Sequence, residues 1–535
     1  MIVVRYTESC PELQVENPAF KKFLKRLRPA YTPPTRFVIA EPLLDKAYEK
    51  LKNKMDQLLR RSRKQITLVS DGWTNLRGEA IVNYVAVTRM WAIFLKSDAT
   101  GQDRHTGEHI ADGLIEVVNE LGRENVVAVT TDNASNMRKS HRLLTEKWPD
   151  LLTLGCASHT VNLTVDDLMQ IPDIQNLFKV ILEVIKYWKS SYILVGVLNK
   201  VAADLKEVRV ALQLPGNTRW QGKLYSTSSL RKNRKHLEHA VQRPQDCLPS
   251  NASREQRAKF ERIRNIVESY RFWEQVNRME KLLQPFLEVT IALESVRPKG
   301  SRIFAYFLYL LRSTHYSSSL PLESIREVIT KRFDMIYKDI MAIAYICDPL
   351  AQEERPVVLT QKMRVGVQKF LLQHYQENRE RAGRVWSELC DILARRGIWA
   401  SEVNWESFKH KRDPAEWWND QDCSQDLKDL AIHALSINPT SGPAERNWST
   451  HGFVHNKSRN RLGNPKVEKL VYLFTNLRIR DSIDASKAEY FDEEEAEVDD
   501  GDDLVYDVDD GDLTNIVEGL AIGAEEDGLS WSGVE

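Results

Sequence analysis

Two aspartates stand where a carboxylate can do chemistry on phosphate. Asp71 closes the run Thr67-Leu68-Val69-Ser70, and Asp132 closes Val127-Ala128-Val129-Thr130-Thr131. Each run has the apolar, β-branched content of a buried strand, and α/β folds carry their reactive groups at the carboxyl ends of strands. If the two strands are neighbours, both carboxylates face one cleft. Such a pair can hold two divalent cations about 3.5–4 Å apart for an in-line displacement at phosphorus. Mg2+ suits an oxygen-only site, because it keeps waters and needs few protein ligands. Two carboxylates are few for two ions. Both residues also have a structural reading: Asp71-Gly72 has the form of a turn, and Asp132 can cap a following helix.

Positioning these acids takes a sheet. Gln65 to Ser70, Ala80 to Arg89, Trp91 to Lys96, Val126 to Thr131 and Leu151 to Leu154 read as strands, the second and third as a hairpin. Ile110, Leu114, Val117, Val118 and Leu121 repeat at helical spacing. Further helices are expected up to Trp148 and from about His159. The alternation argues for an α/β layer with a mixed sheet over residues 64–174. A basic helical segment, residues 1–63, precedes it, with an amphipathic helix from Ala47 to Arg63. Residues 175–435 read as an all-α block, with helices at Leu177 to Tyr187, Ser253 to Arg278, Phe286 to Val296, Leu322 to Met341 and Gln361 to Arg396. Residues 436–487 break at Gly442-Pro443 and end in an apolar helix from Pro465 to Arg480.

Of the 535 residues, 42% are hydrophobic and 28% charged, which excludes a collagen-like, coiled-coil or wholly disordered chain. The longest apolar run, Ile303 to Leu311, is nine residues. That is about half a membrane span, so no membrane partner is expected. Six scattered cysteines with no CxxC pair argue against a disulfide framework or a structural zinc module, and for a reducing compartment. Residues 488–535 carry 19 Asp and Glu and no Lys or Arg. The other 487 hold all 75 basic residues against 57 acidic ones, a net charge of +18. A body so basic suits a polyanion partner such as nucleic acid, and the acidic segment reads as a disordered tail.

The motifs around the aspartates are similar to those of a known family. Ser70-Asp71-Gly72-Trp73-Thr74-Asn75, Thr131-Asp132-Asn133-Ala134-Ser135-Asn136 and Gly155-Cys156-Ala157-Ser158-His159 resemble the hAT superfamily of DNA transposases. So do Asn217-Thr218-Arg219-Trp220 and Ser441-Gly442-Pro443-Ala444-Glu445-Arg446-Asn447-Trp448-Ser449, and the five occur in family order. The likeness is nearest to the branch whose central segment is a domain of unknown function. It implies an RNase H-like sheet interrupted by a large helical insertion, and an acid triad of Asp71, Asp132 and Glu445 holding Mg2+ or Mn2+. The implied reaction is DNA strand cleavage and transfer by a self-associated protein in the nucleus. It also implies that Trp220, beside Arg219, stacks on an unpaired base, and that Cys156 and His159 support the site.

Glu445 has a second reading. With Gly442 as N-cap and Pro443 at N1 it falls at N3, where a carboxylate can reach back to the cap. Val467, Leu470, Val471, Phe474 and Leu477 form a helical stripe in the region the family uses for dimerisation. We expect part of it to pack on the sheet and part on a second subunit. Arg60 to Lys64, Arg231 to Lys235 and Lys409 to Arg412 are basic clusters suited to phosphate contacts or nuclear import. Trp417-Trp418 is expected to anchor helix packing.

Full-length relatives begin with a BED-type zinc finger. Its ligands are absent here, since Cys10 is the only cysteine before Cys156 and His105 is the first histidine. Either the chain is truncated at its N-terminus, or it comes from an element or host gene that has lost its targeting domain. The alternative function, which the second case suits, is a domesticated, non-catalytic protein that dimerises on DNA or chromatin, with the acidic tail free for a protein partner.

Overall fold

The computed structural model describes residues 15–62, 64–75, 77–99, 106–216, 219–294, 300–313, 321–354, 359–410, 414–456 and 462–488. The acidic segment, apart from Ala488, lies outside them, and so does Cys10. By packing the chain sorts into two units. One gathers Met1–His159, Leu293–Phe304 and Lys338–Asp507, and the other Thr160–Ala292, Ala305–Tyr337 and Val508–Glu535. The helices beyond Lys338 therefore belong with the sheet rather than with the helices before it.

The first unit is built on five strands, β1 (Ile66–Thr74), β2 (Ala80–Val87), β3 (Ala92–Ala99), β4 (Val126–Thr131) and β5 (Leu152–Gly155). Their order is β3-β2-β1-β4-β5. β1 to β3 form an antiparallel meander, and β4 and β5 join parallel to β1. Antiparallel neighbours need only a turn, whereas each parallel step is bridged by a helix, Gly107–Leu121 and then Ser135–Lys147.

Both faces of the sheet are buried. Leu68, Val82, Tyr84 and Val129 pack under Ile110, Leu114, Val117, Val118 and Leu144 of these two bridging helices. On the other face Val69, Val85, Val87 and Phe94 meet Leu51 and Met55 of helix Leu44–Arg61 and Val467, Val471 and Leu477 of helix Asn464–Ala488. Burial on both sides explains the nearly continuous apolar strands, since a half-solvated sheet would alternate.

β1 runs four residues further than the sequence suggests, to Thr74. Asp71-Gly72 is not a turn but a mid-strand pair, with Asp71 opposite Asn83 and Gly72 opposite Val82. The turn comes at Asn75–Glu79, where the Asn75 N–H donates to the Glu79 carbonyl and Gly78 takes φ +77°. Glycine adopts that left-handed backbone without steric cost.

Among its described residues the second unit's regular elements are all helices, with Trp188, Trp220, Phe260 and Phe286 in its core. The helix expected over Ser253 to Arg278 is two, Arg254–Val267 and Tyr270–Leu293. Ser269 separates them, and its hydroxyl accepts from the Phe272 N–H to start the second. In the first unit, Gln361 to Arg396 likewise divides, into Gln361–His374 and Arg379–Leu393. Gln376 and Glu377 take positive φ between them, and the Asn378 side chain caps the second helix. Trp417 and Trp418 are buried in a cluster with Trp399 and Trp405, and the Trp418 indole donates to the Cys347 carbonyl at 2.8 Å.

Candidate active site

Parallel pairing brings the two aspartates to one edge. Val69 lies opposite Thr130, so Asp71 stands two residues beyond the first and Asp132 two residues beyond the second. Side chains two apart share a face. Asp71 therefore lies on the face of Val69, the one covered by the segment that ends in helix Gly442–Val454 and bears Glu445.

A strap of buried polar contacts fixes that segment to the sheet. The Thr67 hydroxyl donates to the Ser436 carbonyl at 3.3 Å and accepts from the Asn438 N–H at 3.1 Å. Thr130 Oγ1 donates to the Asn438 carbonyl at 2.6 Å. The Ala157 N–H donates to the Pro439 carbonyl, and the Ser441 N–H to Cys156 Sγ at 3.2 Å. Asn83 completes it: its amide nitrogen donates to the Ala444 carbonyl at 2.8 Å and its amide oxygen accepts from the Asp71 N–H at 3.2 Å. One asparagine thus joins the strand of Asp71 to the residue before Glu445. These groups are buried, so each pairing also avoids the cost of an unsatisfied polar atom.

Asp71 is a strongly perturbed acid. Burial pushes its carboxyl up to about 7, and the Glu445 and Asp132 carboxylates push in the same direction. Trp448 opposes them, its Nε1–H donating to Asp71 Oδ2 at 2.7 Å, and so does the Gly72 N–H. The Glu445 and Asp132 carboxylates therefore both act on Asp71. Each also has a partner of its own. Asp132 Oδ1 accepts from the Ala134 N–H at 2.8 Å, and Glu445 Oε1 accepts from the Ser441 hydroxyl at 2.7 Å.

The expected cap geometry at Glu445 is corrected. Ser441, not Gly442, is the N-cap, which places Pro443 at the second helical position and Glu445 at the fourth. Its carboxylate meets the cap's hydroxyl rather than a cap N–H. The cap expected at Asp132 also moves. Ala134 is the N-cap of helix Ser135–Lys147, and Asp132 holds a turn just ahead of it.

Three carboxylates are the right donor chemistry for Mg2+. Their spacing is not that of a formed ion site, for among the described residues no three His, Cys, Asp or Glu side chains could together hold a metal ion.

Cys156 is fully buried, and burial raises its thiol to about 11, so it sits as a neutral acceptor. It takes the Ser441 N–H and the His159 N–H, joining the end of β5 to the start of the Glu445 helix. His159 is half-buried one turn on. His141, behind β4, lies 3.0 Å from Thr131 Oγ1, and burial lowers it to about 4.

Trp220 is placed differently from the stacking role expected of it. It is 1% exposed in the second unit, edge-on to Phe286, and its backbone N–H donates to Asn162 Oδ1. It is a core ring, and no open face is left for a base. Arg219 is exposed, and Asn217 and Thr218 lie outside the described residues. The dimerisation stripe divides. Val467, Val471 and Leu477 are buried against the sheet, whereas Leu470 and Phe474 are half-buried, Phe474 beside the exposed Phe453. Of the basic clusters, Arg63, Lys411 and Arg412 lie outside the described residues. Arg231, Arg234 and Lys235 are paired with Glu280, Glu238 and Glu207.

Thr67, Asn83, Thr130 and Trp448 carry the site's geometry, and none was singled out by type and spacing. Asn83 left one trace, a lone amide inside the apolar run Ile81 to Val87. Among the described residues no helix is long and apolar enough to cross a membrane. Residues 34–186 match a domain of unknown function, DUF659, and residues 398–477 match the hAT family C-terminal dimerisation region. No curated protein matches the chain.

Proposed function

We propose that this chain, which the two matches support as a hAT-family transposase-like protein that self-associates, cleaves and joins DNA strands at the edge formed by Asp71, Asp132 and Glu445. The observation that carries this reading is that Asp71 within β1, Asp132 just past the end of the parallel strand β4 and Glu445 on helix Gly442–Val454, far apart in sequence, come near enough for the last two to act on Asp71. The sheet order, an antiparallel meander extended by two parallel strands, supports an RNase H-like core. DNA is the substrate that a body of net charge +18 attracts, and the exposed Arg60, Arg61 and Lys64 suit phosphate contact or nuclear import.

Mg2+ or Mn2+ is the cofactor this reading requires. Gathering three carboxylates round an ion means that Asp71, Asp132 and Glu445 leave or share the partners they now hold. That same observation favours a second reading, a non-catalytic descendant in which the acids serve as hydrogen-bonded braces and the protein dimerises on DNA. Its acidic segment would then be free for a protein partner.

The deciding experiment is Mn2+- or Mg2+-dependent nicking of a transposon-end duplex by the chain tethered to a DNA-binding domain. Asp71→Asn, Asp132→Asn and Glu445→Gln should each abolish it. Double variants should be no worse than single ones, because residues acting as a unit are non-additive. A tethered parent chain that never cuts, with variants that only lose stability, leaves the binding protein.

A further inference from the structure

Helix Pro18–Leu27 stands out in the first unit because no residue of it is buried. Its apolar positions nevertheless fall on one face: Phe20, Phe23, Leu24 and Leu27 follow i, i+3, i+4, i+7 spacing. Phe20 and Leu24 are half-covered, while Phe23 is 54% and Leu27 68% exposed. Phe37 and Val38, a short way along the chain, are also exposed. Lys21, Lys22, Lys25, Arg26 and Arg28 flank the stripe, all exposed. Among the described residues no acid pairs with them. Elsewhere in the unit lysines find carboxylates, as Lys96 does with Glu116 and Glu120.

The complement to this face is in the sequence. Residues 489–535 hold 19 acids and no Lys or Arg, with apolar residues set among them, as in Asp502-Asp503-Leu504-Val505-Tyr506-Asp507-Val508-Asp509-Asp510. Residues 489–507 of the segment follow directly on helix Asn464–Ala488, in the same unit as Pro18–Leu27. Its 47 residues span up to about 150 Å when extended.

We propose that the acidic segment of this chain docks on helix Pro18–Leu27, its apolar residues on the Phe23–Leu27 face and its carboxylates on the flanking lysines and arginines. Charge alone would let the segment slide over any basic surface. The exposed aromatic and leucine on one face give this helix an apolar hold in addition to its charge. Docked there, the segment occupies cations that a phosphate backbone would otherwise use, so the contact competes with DNA.

Zero-length carbodiimide coupling of the full chain, read by mass spectrometry, tests this. Lys21, Lys22 and Lys25 should couple to acids between residues 489 and 535. Phe23→Ser with Leu27→Ser, both at exposed sites, should lower that coupling several-fold while Lys96–Glu116 coupling stays unchanged as an internal reference. A mixture of isotope-labelled and unlabelled chains should show coupling within single copies. The proposal is overturned if these lysines do not couple to the segment, if the double variant couples as well as the parent, or if coupling runs only between copies, which would assign the surface to a second copy's segment.

Discussion

The Trp448 indole donates to Asp71 Oδ2 at 2.7 Å across 377 residues of sequence. The same ring stacks on Trp73 at 5.3 Å, and Trp73 shares Asp71's face of β1. Trp448 sits one turn beyond Glu445, so a single side chain ties the strand of one acid to the helix of another.

This bond should be worth more when Asp71 is charged, because hydrogen bonds to ions are roughly twice as strong as neutral ones. Asp71 has a folded pKa of about 7, raised above its ordinary 3.8. The native state thus holds an extra proton between those values, and this group's contribution to stability falls as pH rises through that window. Asp71→Asn removes the penalty, so relative to the parent it should melt higher at pH 8 than at pH 4. Trp448→Phe keeps a ring on Trp73 but loses the donor, and its cost should be larger at pH 8 than at pH 5. Melting curves of the two variants and their double across pH check both signs.

Asn83→Ala leaves the Ala444 carbonyl and the Asp71 N–H without their partner. Each buried orphan costs about 1–3 kcal/mol, so the variant should be strongly destabilised in urea unfolding. Thr130→Val removes the bond to the Asn438 carbonyl with little change of shape, and should cost less. Equal stability of Asn83→Ala and the parent would show that the strap does not fix the Glu445 segment.

Self-association should separate from folding along one helix. Leu470→Asp with Phe474→Asp changes half-buried positions and should give a folded monomer by sedimentation velocity. Val471→Asp puts a charge at a fully buried position of the sheet's core, and should lose the fold itself. A folded, dimeric Leu470→Asp/Phe474→Asp variant would move the interface elsewhere in residues 398–477.

Trp220→Ala should destabilise by about 3–5 kcal/mol, the cost of emptying a buried aromatic site. Trp220→Phe should retain most of that stability. If the ring serves packing alone, nicking and DNA affinity of the phenylalanine variant should match the parent. A selective loss of hairpin-DNA binding would restore a stacking role.

Much of the sheet was legible because strand and helix periods depend on neighbours in sequence. Val126–Thr131 lies at its expected limits, and the other strands fall within a few residues of theirs. Asp71 and Asp132 could be found because they terminate apolar runs, and Glu445 because it sits in a recognisable motif. The Asp71-Gly72 turn misled for a physical reason. The same dipeptide fits a strand whenever a partner strand takes its backbone groups, as β2 does here.

By itself the sequence determined the element types, the acid positions, the charge division between body and tail, and the family. Only the tertiary structure decided what each side chain touches. Trp220 is buried with Phe286 against its ring, and nothing in Asn217 to Trp220 encodes that. Asp71 is raised to about 7 by burial under a segment more than 360 residues away and by two carboxylates brought beside it. Desolvation and hydrogen bonding are properties of assembled neighbours, and no local pattern contains them.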